Sequence, residues 1–320
     1  MKYAIISDIH GNAPALEAVL ADSKKHNVDK YLFLGDYATI GVPLGNEVVD
    51  IIRNLENIVI VRGNHEDYLA TTYNQDQEGM LDDKSYHEQY KPLLYAYRAL
   101  SKVNLEFLPN LPKNINISDN GLEIYLSHSS NIFYRGTRVN YFHSSHYRDQ
   151  AEIKPFTHKE YLELAKEEAL SREDVVEDIN KLPDGVYLFG HNHLQFNMQY
   201  KGKIFINPGS CGLPLDCNKN APYTILEVNN RTIKITERRV EYKIDDLLKR
   251  FKNSEFYSYT PIWGKIIERQ LLTSKDTISL FIRHVLEIAQ EAGCTTQPVN
   301  NEIWDIAVES FDFNKFCAKM

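Results

Sequence analysis

Five short apolar runs, each stopped by residues able to ligate a metal, constrain this chain more than any other feature. Tyr3–Ile6 leads into Asp8 and His10, Tyr31–Leu34 into Asp36, and Ile58–Val61 into Gly63-Asn64-His65. Leu122–Leu126 leads into His128, and Val186–Phe189 into Gly190-His191-Asn192-His193. The first three runs alternate with segments of helical spacing: Leu16, Val19 and Leu20 behind Pro14, then Val48, Val49, Ile51, Ile52 and Leu55. Strands apolar enough to be covered on both faces, separated by helices, predict an α/β layer with a parallel sheet. Ligands in such sheets gather at the carboxyl ends of the strands. Asp8 and His10 stand two residues apart, so in or just past the last pleat of a strand their side chains converge.

The pattern then changes. Residues 114–118 and 122–127 read as a hairpin about Asp119-Asn120-Gly121, 196–200 and 204–206 as a second about Lys201-Gly202, and 223–228 and 231–237 as a third about Asn229-Asn230. The fold class that accommodates both halves is α/β, with two mixed β-sheets packed as a sandwich and helices outside. Helices are expected over 158–170 and 171–182, the second opened by a capping box at Ser171-Arg-Glu-Asp174. Beyond Glu241 the strands stop. Residues 276–292, with Ile278, Phe281, Ile282, Val285 and Leu286 on one stripe, and 300–311 read as helices. The domain reading is 1–272 as the main body, with a lid insertion at about 133–170, and 273–320 as a helical C-terminal extension. The stripe needs cover, from the chain's own body or from a homo-oligomer contact.

Composition narrows the partners. With 44 acidic and 36 basic residues the net charge is −8, which works against nucleic acid as the main partner. The four cysteines, 211, 217, 294 and 317, form no CxxC pair, which points to reduced thiols. A strand starting at Lys2 leaves no room for a leader, and no apolar run reaches the roughly 18 residues of a membrane span. A cytoplasmic, membrane-free location is expected.

Asp8, His10, Asp36, Asn64, His128, His191 and His193 make seven candidate ligands of mixed oxygen and nitrogen type. One ion rarely takes so many protein ligands and stays open to substrate, whereas two ions sharing a carboxylate use them naturally. In order and spacing, Asp8-Ile-His10, Gly35-Asp36, Gly63-Asn64-His65, His128 and Gly190-His191-Asn192-His193 resemble the signature blocks of the calcineurin-like metallophosphoesterases. Asp8–Asn12 with the Ala-Leu-Glu-Ala-Val that follows, and Asn207-Pro-Gly-Ser210, resemble its YfcE-like, diadenosine-tetraphosphatase-like branch. The resemblance covers residues 1–272.

It implies a first metal on Asp8, His10, Asp36 and His193, and a second on Asp36, Asn64, His128 and His191, with Asp36 bridging. His65 would protonate the leaving group or steady the transition state. The donor set suits manganese, taken first, or iron, cobalt, nickel or zinc. The implied activity is hydrolysis of a phosphate ester or anhydride in a small phosphorylated substrate, by attack of a metal-bound hydroxide. A nucleotide or dinucleoside polyphosphate is the leading substrate. Asn12, Arg135, Arg138 and His143 are the candidate substrate contacts, and Phe133, Tyr134, Tyr141, Phe142 and Tyr147 the candidate base-stacking rings. Two other classes compete: a noncatalytic scaffold of the same fold, marked by loss of ligands, and a metal-dependent nuclease, marked by a basic groove.

Overall fold

The computed structural model describes residues 1–79, 88–133, 170–229, 232–295 and 299–313, together with Lys159, Glu160, Glu163 and Glu167. Strand β1 (Lys2–Ile6) is followed by α1 (Ala13–Lys25), β2 (Lys30–Phe33), α2 (Gly45–Arg53), β3 (Ile58–Ile60) and α3 (Asn64–Gln77). Then come α4 (Lys91–Ala99), α5 (Lys102–Phe107), β4 (Asn114–Asp119), β5 (Leu122–Ser127), α6 (Glu173–Lys181), β6 (Gly185–Leu188), β7 (Gln195–Tyr200), β8 (Lys203–Pro208), β9 (Ala221–Asn229) and β10 (Thr232–Val240). The chain closes on α7 (Ile244–Lys252), α8 (Glu255–Tyr259), α9 (Pro261–Thr273), α10 (Thr277–Glu291) and α11 (Asn301–Ser310).

The strands form two five-stranded sheets, ordered β10-β9-β1-β2-β3 and β4-β5-β6-β8-β7. Strands β1, β2 and β3 run parallel, as do β5, β6 and β8, while β9, β10, β4 and β7 add antiparallel edges. Both sheets are therefore mixed. In β1 the two-residue alternation divides the buried side chains between two cores. Tyr3 and Ile5 face the second sheet, packing with Leu32, Leu34, Ile124, Leu126, Val186, Leu188 and Ile206. Ala4 and Ile6 face outward under Leu16 and Val19 of α1, Val48 and Ile52 of α2, and Leu69 of α3. On the far side of the second sheet, Tyr187, Phe196 and Phe205 are covered by Val175 and Ile179 of α6. A strand buried on both faces needs apolar residues at every position, which is why these runs are continuous rather than alternating.

Two local expectations are corrected. Ser171 does not cap α6: it closes the preceding helical turn, and Arg172 stands at the N-cap without a side-chain cap bond. The Arg172 guanidinium instead grips Asp174, Nη2 to Oδ2 at 2.6 Å. On α10, Phe281 and Val285 are buried but Leu286 is 43% exposed, the inward side being completed by Leu280 and Ala289. Of the expected lid, Phe133 is described, and it packs edge-on to Tyr187 at 5.1 Å in the outer core of the second sheet. Arg135, Arg138 and His143 lie outside the described residues, as do Tyr134, Tyr141, Phe142 and Tyr147.

Helices α7–α11 share one buried cluster running from Leu247 to Ala307, so the helices on either side of Thr273 have a common core. It includes Val42 and Leu213, from loops of the main body. At its centre Phe281, fully buried, meets Trp304 edge-to-face at 5.2 Å. Replacing Phe281 by Ala should lower the unfolding free energy by about 3–5 kcal/mol through cavity formation. Denaturant unfolding of both forms measures the difference.

Candidate metal centre

The loops after β1, β2, β5 and β6 and the start of α3 meet at the carboxyl ends of the parallel strands. The ligand-bearing positions are not in the pleat. Strand β1 ends at Ile6, and Asp8 and His10 have left-handed backbones with φ of 52° and 48°. Asp36, His191 and His193 share that conformation, at 58°, 72° and 58°. The convergence expected from strand alternation comes instead from tight loops that turn the chain back on itself. Each such residue costs about 1–2 kcal/mol. Bonds between loops hold the strain: Asp8 N to Gly35 O at 3.0 Å, Ile9 N to Asp36 O at 2.8 Å, Gly212 N to Asp8 O at 3.1 Å and Gly190 N to His128 O at 2.9 Å. Close approach explains two glycines of the signature blocks. A Cβ on Gly35 would lie 2.7 Å from His128 Nδ1, and one on Gly190 would overlap Ser7 Oγ and Asp8 Oδ2.

All seven candidate ligands come together. Asp8, His10 and His193 form one group and Asp36, His128 and His191 another, with the ligand atoms of each group within 4.8 Å of one another. Asp36 Oδ2 lies 3.1 Å from His128 Nε2 and 4.0 Å from His10 Nε2, between the two groups. Asn64 Oδ1 joins the second, 3.0 Å from His128 Nε2 and 2.9 Å from His191 Nδ1. Three imidazoles are oriented alike: Nδ1 of His10, His128 and His193 lies 2.7 Å from the carbonyl oxygens of Thr39, Leu34 and Leu213 respectively. A carbonyl only accepts, so Nδ1 carries a proton and Nε2 faces inward, the nitrogen free to ligate once it is deprotonated, as metal-ligating histidines need. The donor set fits divalent metal ions.

The electrostatics fit as well. Burial raises the pKa of both carboxylates, yet both are held down: Asp8 at about 2 by His193 and His128, Asp36 well below its ordinary value by His128 and His65. The same attraction overcomes burial to raise His128 to about 10 and to raise His193 through Asp8. Burial and neighbouring imidazoles push His10 down to about 3 and His191 to about 4.

His65, at the first turn of α3, stands beside this set. Its Nδ1 is 2.6 Å from Thr39 Oγ1, and its Nε2 is 3.7 Å from Asp36 Oδ2. Tyr68, 47% exposed, packs its ring against His65 at 5.5 Å. Asn12, a candidate substrate contact, is fully buried and engaged within the protein: Oδ1 accepts from Ala15 N to cap α1, and Nδ2 donates to Gly212 O at 2.8 Å.

Sequence reasoning missed two supports, Thr39 and Glu66, and gave a third, Asn207, no task. Thr39 serves two histidines, by hydroxyl and by carbonyl. Glu66, fully buried, accepts from the backbone N–H of Gly63, Asp36 and Tyr37 and so ties the β2 loop to α3. Burial and the Asp36 charge push it up to about 7. Its signal was its place three residues after Gly63, the reach-back position of a helix N-terminus. Asn207 holds the His191–His193 loop, donating to Gly190 O at 2.8 Å and Asn192 Oδ1 at 2.7 Å.

The calcineurin-like phosphoesterase superfamily domain matches residues 1–231. The chain belongs to that superfamily. A relative, the uncharacterized protein MJ0912 of Methanocaldococcus jannaschii, is 32% identical over 260 residues, covering 75% of this chain and 88% of its own length. The fold is shared with a metallophosphoesterase from Sphaerobacter thermophilus, at a TM-score of 0.57 and 23% identity over 86% of this chain and 100% of that one. It is shared too with hypothetical protein PH1004 from Pyrococcus horikoshii OT3, at 0.55 and 19% over 82% and 97%. Among the described residues no helix is long and apolar enough to cross a membrane.

One consequence concerns pH. His128, raised to about 10 by Asp36, keeps its proton at neutral pH and would give it up to become a ligand, and Asp8 shifts His193 in the same direction. Metal uptake should release protons, and metal affinity should rise with pH up to about 10, where His128 loses its proton without a metal. Titration calorimetry in buffers of different ionisation enthalpy counts the protons.

Proposed function

We propose that this chain is a dimetal-dependent phosphoesterase acting on the ester or anhydride bonds of a small phosphorylated substrate. Asp8, His10, Asp36 and His193 hold one ion, and Asp36, Asn64, His128 and His191 the other. Manganese is the first choice among manganese, iron, cobalt, nickel and zinc. The observation that carries this reading is the position of Asp36 Oδ2, between one His–Asp group and the other. Divalent ions held by these residues would supply attraction for phosphate on an acidic protein, polarisation of its oxygens and a lowered pKa for water.

The chain's own residues do the rest. Asp36 keeps two positive centres together by offering both a carboxylate charge and two oxygens. The three carbonyl-held imidazoles do not reorient on binding, because their Nδ1 bonds already fix the rings. His65, with Nδ1 engaged by Thr39, has Nε2 as the nitrogen that delivers a proton to the leaving oxygen. Selectivity falls to the walls, where Tyr68 offers an aromatic surface beside His65. Arg135, Arg138 and His143 are the groups we assign to phosphates away from the metals. A nucleotide or dinucleoside polyphosphate is the leading substrate, ahead of a simple monoester or phosphodiester.

Asp36→Asn should lower turnover of an aryl phosphate at least about a hundredfold and deplete bound metal, with the circular dichroism spectrum unchanged. Full activity with full metal content in that variant overturns the reading. The substrate assignment has its own test, a screen of mononucleotides, cyclic nucleotides, dinucleoside polyphosphates and an aryl phosphodiester on the metal-reconstituted protein. Arg135→Ala combined with Arg138→Ala should lower kcat/KM for nucleotides about tenfold or more and leave the aryl substrate unaffected, a loss of about 1.4 kcal/mol.

A further inference from the structure

The C-terminal helical layer holds a buried guanidinium two of whose nitrogens make no hydrogen bond within the described chain. Arg269, on the inner side of α9, is only 6% exposed, and its Nε and Nη2 are buried with no hydrogen-bond partner among the described residues. These two nitrogens lie on one edge of the guanidinium and donate side by side, the geometry that grips a carboxylate or phosphate in two bonds. Buried N–H donors without an acceptor are destabilising, so a chain that keeps them has a reason to.

Arg269 lines a cavity of about 460 Å³ with Lys265, Glu268, Leu272, Phe311 and Phe313. That volume is in the range of small-molecule sites. Lys265 places its ammonium over the Phe313 ring at 5.8 Å. Two acidic residues also reach the cavity. Glu268 is already bound to Lys252 Nζ at 2.9 Å and to Tyr257 OH at 2.8 Å. Asp312 is exposed and is not without a partner. Two cations, an aromatic wall and an apolar floor thus face one space, and none of them belongs to the metal centre.

We propose that this cavity is a second, independent binding site for a small organic anion, its phosphate or carboxylate held by Arg269 and Lys265 and its flat or apolar body against Phe311 and Phe313. Phenylphosphonate, whose carbon–phosphorus bond a phosphoesterase does not hydrolyse, is a suitable probe. By titration calorimetry the metal-loaded full chain should bind two equivalents, one at the metals and one here. Arg269→Met should bind one equivalent, and Asp36→Asn should keep the Arg269-dependent one. Lys265→Ala should weaken that second component at least about threefold, with the melting temperature unchanged.

The ligand-free melting temperature gives a separate readout. If these donors await a ligand, Arg269→Met melts at or above the wild-type temperature, because it removes buried N–H donors without an acceptor. A lower melting temperature means that the partner of Arg269 lies within the chain, and overturns the proposal. So does unchanged phenylphosphonate stoichiometry in Arg269→Met, or unchanged affinity in Lys265→Ala should the Met variant fail to fold. Binding of a single, Arg269-dependent equivalent by the metal-loaded wild type would count against the metal-site reading and leave this one standing.

Discussion

Two carboxylates, Asp8 and Asp36, sit at 0% and 2% exposure inside an apolar sandwich, and the rest of the site exists to keep them ionised there. Burial alone would drive both towards the neutral acid. His193 and His128 oppose it at 3.4 and 3.1 Å, and backbone N–H groups add to them, His191 N on Asp8 and His65 N on Asp36 Oδ1 at 3.0 Å. The imidazoles in turn rest on carbonyl oxygens of two loops, His128 and His10 on the one after β2 and His193 on the one after β8. Charge, hydrogen bonds and loop shape are therefore one device, and divalent ions would take over the role the protonated imidazoles play without them.

The same loops carry the backbone strain. Left-handed conformations at Asp8, His10, Asp36, His191 and His193 persist because neighbouring loops bind one another through their backbones, and Glu66 gathers three N–H groups where the β2 loop meets α3. Buried polar networks of this kind specify one arrangement, since leaving any member unpaired costs about as much as the strain itself.

The C-terminal helices belong to this account although the superfamily match ends at residue 231. Leu213 offers its carbonyl to His193 and buries its side chain in the cluster formed by α7–α11. Val42, whose N–H bonds His10 O, is buried in the same cluster. Cys217 N bonds Ser274 O at the end of α9. Two loops that hold candidate ligands in place are thus anchored by helices distant in sequence, which ties the packing of that layer to the placement of His10 and His193.

The apolar runs, the turn at Asn120-Gly121 and the ligand types were legible in the sequence because each is a local property: continuous hydrophobicity for a doubly covered strand, Asn-Gly for positive φ, and Asp, Asn and His as metal donors. Motif order was enough to bring seven residues to one place. The sequence did not disclose how they converge, because the left-handed loops are stabilised by bonds between segments up to about two hundred positions apart, as from Gly212 to Asp8. Nor did it single out Thr39 or Glu66, common polar residues whose importance comes from what burial leaves them to bind, give Asn207 its task, or place Leu286 outside the core its periodicity suggested. Hydrophobic pattern and donor chemistry are written along the chain. Desolvation, strain and the pairing of distant polar groups arise only when the layers close on one another, and they decide which of those residues become a site.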